Sequence, residues 1–125
     1  MNFFRAITSS RVRSSFALAL AAALASTLAG ASNATHVTIA QIVFNPTTAG
    51  NAVIIKVSPL PVNQPSCSTN IVYQYSLNLS GTAANQIYAA LLSAMMAGKL
   101  VDISGLQTCT TEATVEDLRS LVVIQ

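Results

Sequence analysis

At 125 residues, with 6 basic and 4 acidic side chains and a formal net charge of +2, the chain has room for one small domain rather than several. Arg5, Arg11 and Arg13 all precede residue 14, so the remainder is close to neutral. It carries no basic stripe of the kind that binds nucleic acid or an anionic membrane surface, and both partner classes are excluded.

Those three arginines open the first element. An uncharged, alanine-rich apolar run over 16–25 follows, then small residues, and both Ala29-Gly30-Ala31 and Ser32-Asn33-Ala34 fit a small-x-small cleavage pattern. This order predicts a signal peptide over 1–34, cleaved after Ala31 or Ala34, and a single small domain over 35–125. A membrane anchor is the other reading, but the apolar run is well short of the ~20 residues that cross a bilayer. Cleavage leaves Lys56, Lys99 and Arg119 against Asp102, Glu112, Glu116 and Asp117, a net charge of −1. The product is expected to be secreted or periplasmic, with no stable membrane anchor.

Residues 36–44 are rich in branched and aromatic side chains and read as a first strand. Asn45 to Asn51 has turn chemistry, with Pro46 and Gly50 as punctuation. A second strand follows over 52–57. Pro59, Pro61 and Pro65 then forbid a central strand in the loop that ends at Cys67. Residues 71–79 read as a third strand; Tyr73, Tyr75, Leu77 and Leu79 alternate with Gln74, Ser76 and Asn78, which predicts one face on a core and one in water.

The period then changes to that of a helix over 83–97, with Ser80 or Thr82 as cap and Gly98 as stop. Ile87, Leu91, Ala94 and Met95 share one face, and Tyr88, Leu92 and Met96 extend the apolar surface around the next. A helix without charge between Thr82 and Lys99 is expected to be covered on more than one side. A fourth strand over 100–105, an acidic turn around Glu112 to Asp117, and a fifth strand over 118–125 complete the chain. Three strands, one helix and two strands predict a mainly β domain, an OB-like five-stranded Greek-key barrel with the helix between strands three and four.

Cys67 and Cys109 are the only cysteines. An even pair in an exported domain reads as a disulfide, which here closes a loop of about 43 residues and stabilises by about 4 kcal/mol on the chain-entropy model. A metal site needs more ligands than two distant cysteines and the single histidine, His36, supply. His36 reads as an exposed residue at the start of a strand. Glu112, Glu116 and Asp117 read as solvated turn carboxylates, without the ligand spacing of a calcium loop. No phosphate loop or nucleophile elbow is present, so catalysis, metals and cofactors are not expected. Binding fits better: the polar turn 45–51 offers amides and hydroxyls to a ligand, Tyr73 and Tyr75 offer either rings or core packing, and Tyr88, Leu92 and Met96 offer either a subunit contact or plain burial.

The strand and turn over 36–46 and the helix, glycine and strand over 87–103 together resemble the binding (B) subunits of bacterial A-B toxins, of the subtilase-cytotoxin type, and small exported bacterial proteins related to them. The resemblance implies an OB fold, a homo-oligomeric ring of five with the helices at its centre, a catalytic A subunit as partner and recognition of surface glycans. It assigns the ligand contacts to Asn45 and Thr47. Ala40 and Val43 depart from that family's glycine and aspartate, and its tryptophans and second cysteine pair are absent. The alternative is an exported structural or inhibitory domain that acts through protein–protein contact.

Overall fold

The computed structural model of the protein describes residues 30–45 and 51–125. The apolar stretch of the predicted signal peptide, and Thr47 in the polar turn, lie outside the described residues, as does the side chain of Asn45.

Five strands and one helix form the domain: β1 (Asn33–Asn45), β2 (Ala52–Ser58), β3 (Tyr75–Asn78), α1 (Ala84–Met96), β4 (Val101–Gly105) and β5 (Glu116–Val123). The strands close into a barrel in the order β1-β2-β3-β5-β4, with β3 and β5 parallel and every other neighbouring pair antiparallel. This is the connectivity of an OB-like Greek-key barrel, as the order of elements predicts. β1 serves both sheets, pairing with β4 through its first residues and with β2 through the rest. Register shifts between Ala34 and Val37 and between Ile39 and Gln41 bend it from one sheet into the other.

The core follows from alternation. Val37 and Ile39 from β1, Val53, Ile55 and Val57 from β2, and Val101 and Ile103 from β4 point inward and are buried. Each such side chain contributes about 1.5–3 kcal/mol by leaving water. β2 is also covered on its other side at Ala52 and Ile54, which suits a nearly unbroken apolar run. α1 packs against β1, β3 and β5 and adds Leu91 and Ala94 to the core. It ends where Gly98 takes a φ of +62°: the Lys99 N–H donates to the Ala94 carbonyl and the Gly98 N–H to that of Met95, a Schellman closure. The N-terminus departs from expectation. Ala83 is the capping residue and no side chain caps it, so neither Ser80 nor Thr82 has that role.

Cys67 and Cys109 are bonded, with Cα atoms 6.1 Å apart, and join the proline-rich loop to the β4–β5 connection. Beyond β2 that loop has only a single bridge, Val62 to Asn33, consistent with its prolines.

The third strand is shorter than its pattern suggests and is not half-solvated. Ile71 and Val72 are exposed and lie before it, because Asn70 Oδ1 accepts the N–H groups of Val72 and Tyr73 and turns the chain there. Gln74 and Ser76, expected in water, are buried. The Gln74 side-chain oxygen accepts the Val57 N–H at 3.0 Å, replacing a ladder bond, and the Ser76 hydroxyl donates to the Glu116 carbonyl at 3.2 Å. β3 is buried on both faces: Tyr75 and Leu77 belong to the core, and Ser76 on the other face meets the segment leading into β5 at Val115, Glu116 and Asp117. That segment also overturns the solvated reading of two carboxylates: Glu116 and Asp117 are buried at the start of β5.

Candidate functional site

The alternation that sends Val101 and Ile103 inward turns Asp102 and Ser104 to the outer surface of the β1-β4-β5 sheet. Register then decides their neighbours. Ser104 stands opposite Ser120 on β5 and opposite Asn33 on β1, and Asp102 stands opposite Val122. The Ser104 and Ser120 hydroxyls meet at 2.6 Å. With Thr35 and Ile103 these residues line an open depression of about 280 Å3.

Its rim is shaped by the first irregularity in β1. His36 adopts a φ of +53°, a left-handed conformation uncommon outside glycine. The Asp102 carboxylate accepts the His36 N–H at 2.7 Å through Oδ1, and His36 Nδ1 lies 3.7 Å from the same oxygen. Bulges of this kind re-aim side chains next to binding sites, and a residue held in a sparsely populated conformation motivates a functional reading. His36 is therefore exposed, as expected, but it is also fixed to the carboxylate that lines the depression. An amide, three hydroxyls and a carboxylate give both donors and acceptors, and exposed Val122 supplies an apolar contact. Such a set suits a small polyhydroxylated ligand.

The polar residues inside the barrel form a different cluster. Glu116 Oε2 accepts the Ser32 hydroxyl at 2.5 Å, and Oε1 accepts the Gln107 N–H at 2.9 Å. Tyr75 Oη lies 3.4 Å from Ser32 Oγ. Tyr75 is fully buried, which excludes it as a ring offered to a ligand; burial, opposed by the Ser32 hydrogen bond and reinforced by the Glu116 charge, pushes its hydroxyl up to about 12. Among the described residues no group of three or more His, Cys, Asp or Glu side chains converges to hold a metal ion.

Of the residues singled out from sequence, Cys67 and Cys109 are brought together. Tyr88 and Leu92 are half-buried, and Tyr88 packs against the core, whereas Met96 at the end of α1 is 83% exposed. Sequence reasoning did not find the depression. Its signal is the Val-Asp-Ile-Ser alternation of β4, which places two polar side chains outward, but the partners from β1 and β5 come from register alone. Searches against family models, curated proteins and solved structures found no match to this chain.

Proposed function

We propose that the protein is an exported, non-catalytic binding module that takes a sugar-type ligand in the depression on the β1-β4-β5 sheet. The observation that carries the reading is the row Asn33, Ser104 and Ser120 beside Asp102, an amide, paired hydroxyls and a carboxylate on one open surface. Ligand hydroxyls can replace the Ser104–Ser120 bond and satisfy both serines, while Asp102 accepts from a vicinal hydroxyl. The Cys67–Cys109 bond supports a secreted or periplasmic location, since disulfides persist in oxidising compartments. Among the described residues no helix is long and apolar enough to cross a membrane.

A second reading is a protein-contact module, and the observation favouring it is Met96 exposed at the end of an uncharged helix, beside half-covered Leu92. That surface is where a ring of five copies, and through it a catalytic A subunit, would be assembled if the resemblance to toxin binding subunits extends to architecture.

A glycan array probed with the exported protein tests the first reading. Binding that falls at least about tenfold in a Ser104→Ala/Ser120→Ala variant supports the depression, as expected for removing hydroxyl partners of a polar ligand. Loss in Asn45→Ala and Thr47→Ala but not in the serine pair moves the site to the polar turn. No binding to any glycan overturns the ligand class and favours protein contact. Light scattering on the eluted protein then reads the assembly: a pentamer supports the ring, and a monomer removes it.

A further inference from the structure

Three residues at the head of β1 bear on where the mature chain begins. Ser32 is fully buried; its carbonyl accepts the Gly105 N–H at 3.1 Å and its hydroxyl donates to Glu116. Asn33 exchanges two backbone hydrogen bonds with Val62, at 3.2 and 3.0 Å, and pairs with Ser104. Ala34 is a core residue opposite Ile103. Just before them burial falls away: Ala31 is half-exposed and Gly30 exposed, and a Cβ on Gly30 would meet nothing within 4 Å.

Glu116 is the acceptor of that Ser32 hydroxyl. It is fully buried, and its hydrogen-bond partners among the described residues are the Ser32 hydroxyl and the Gln107 N–H and side-chain amide, all neutral. A buried carboxylate without a cation is costly.

We infer that the Ala31–Ser32 bond is the processing site of the precursor, and that the α-ammonium it releases on Ser32 is the counter-ion of buried Glu116. The inference rests on the exported reading above. Ala29 and Ala31 are the small residues presented to a leader peptidase. Water adds to the Ala31 carbonyl carbon, the C–N bond breaks, Ala31 leaves as a carboxylate, and the Ser32 nitrogen takes up protons to become an ammonium. That nitrogen belongs to the residue whose hydroxyl already touches the carboxylate, so the charge arrives where it is needed. Cleavage after Ala34 would instead remove the Ser32 donor from Glu116, both Asn33–Val62 bonds, the acceptor of the Gly105 N–H and a core side chain.

The test uses the full chain, exported from cells, with intact mass and N-terminal sequencing of the product. Ser32 is expected as the first residue, and Ala31→Leu is expected to abolish that species. A product that begins at Thr35 or any other residue overturns the site while leaving export intact, and an undiminished Ser32 product from Ala31→Leu overturns it too. An uncleaved chain retained by the cells overturns the exported reading itself, and an uncleaved chain found outside them overturns the processing site. The counter-ion is tested on the wild-type product by amine labelling at pH 7. A free α-amine, with its pKa of about 8, reacts ahead of lysines; paired with Glu116 it is expected to label more slowly than exposed Lys99. Labelling as fast as Lys99, or faster, overturns the pairing.

Discussion

Asp117 holds Thr110 twice through one oxygen: Oδ2 accepts the Thr110 N–H at 2.8 Å and its hydroxyl at 2.7 Å. The same oxygen accepts the Thr108 hydroxyl at 2.7 Å, while Oδ1 accepts the Thr111 N–H at 2.8 Å and the Ser76 hydroxyl at 3.3 Å. Cys109 sits in the middle of these contacts. The carboxylate thus secures locally what the disulfide secures across 42 positions of sequence, the β4–β5 connection against the rest of the barrel.

Replacing Asp117 by Asn removes the charge from this set and turns one acceptor into a donor. The expected cost is about 3 kcal/mol at pH 7, the scale of hydrogen bonds to a charged group. Burial pushes the carboxyl up, but the bonds from Thr110, Thr111 and Thr108 outweigh it and hold the group well below its ordinary 3.8. Because the folded value lies below the unfolded one, the stabilisation is complete above about pH 4 and drains away as the pH falls further. Urea unfolding at pH 7 and at pH 3 should show the gap between wild type and Asp117→Asn narrowing in acid. An equal gap at both values would show that the charge is not what matters.

These carboxylates also mark the limit of what the sequence discloses. Period and punctuation sufficed for the element order, for the stop at Gly98 and for the bonded cysteines, because each of these depends on neighbours in the chain or on simple pairing. Glu116 and Asp117 looked like solvated turn residues because their burial depends on Ser32 and Ser76, far away in sequence. A local hint existed: the hydroxyls of Thr108 and Thr110 and the N–H of Thr111 precede Asp117 closely enough to fold back on it. For β3 the alternation was real at Tyr75 and Leu77, but it could not reveal that Gln74 and Ser76 on the opposite face are buried, Ser76 against the segment leading into β5. The depression was illegible for a similar reason, since barrel closure sets Asn33 beside Ser104.

Gly105 shows how tightly the buried cluster is fitted. A Cβ there would fall on the Glu116 carboxylate and against Ser32 Oγ. Glu116 cannot swing aside without losing its bonds to Ser32 and Gln107, so Gly105→Ala is expected to destabilise by about 2–3 kcal/mol. In a Glu116→Ala background the larger obstacle is gone and the Ser32 hydroxyl, no longer held by its acceptor, is free to turn away, so the same substitution should then cost only about 1 kcal/mol. A double-mutant cycle read by denaturant unfolding checks this; additive costs would mean that the two residues do not interact.

Tyr75 predicts behaviour at the alkaline end. Its folded-state value of about 12 exceeds the ordinary 10.0. The sign is therefore the reverse of that for Asp117: the stabilisation is complete below about pH 10 and is lost as the pH rises from there toward 12. Stability measured across pH 9 to 11.5 should fall, and Tyr75→Phe should flatten the fall while costing only about 1 kcal/mol at pH 7 for its long bond to Ser32. An unchanged alkaline slope in the variant would assign the loss to other groups.

Asp102 has two separable roles, one in holding the His36 bulge and one at the surface of the depression. Asp102→Asn keeps a carbonyl oxygen where the carboxylate accepts the His36 N–H, so the bulge should persist and stability should change by less than about 1 kcal/mol. Asp102→Ala removes the acceptor, and nothing then rewards His36 for its left-handed backbone, which costs about 1–3 kcal/mol to maintain. The segment is expected to relax, and the His36 amide to exchange with solvent much faster than in wild type or in Asp102→Asn. Hydrogen exchange resolved at that amide separates the two substitutions. Ligand binding should weaken in both, because the charge that accepts from a ligand hydroxyl is absent from each. If the His36 amide exchanges equally fast in all three proteins, the carboxylate does not hold the bulge, and any loss of binding comes from the missing charge alone.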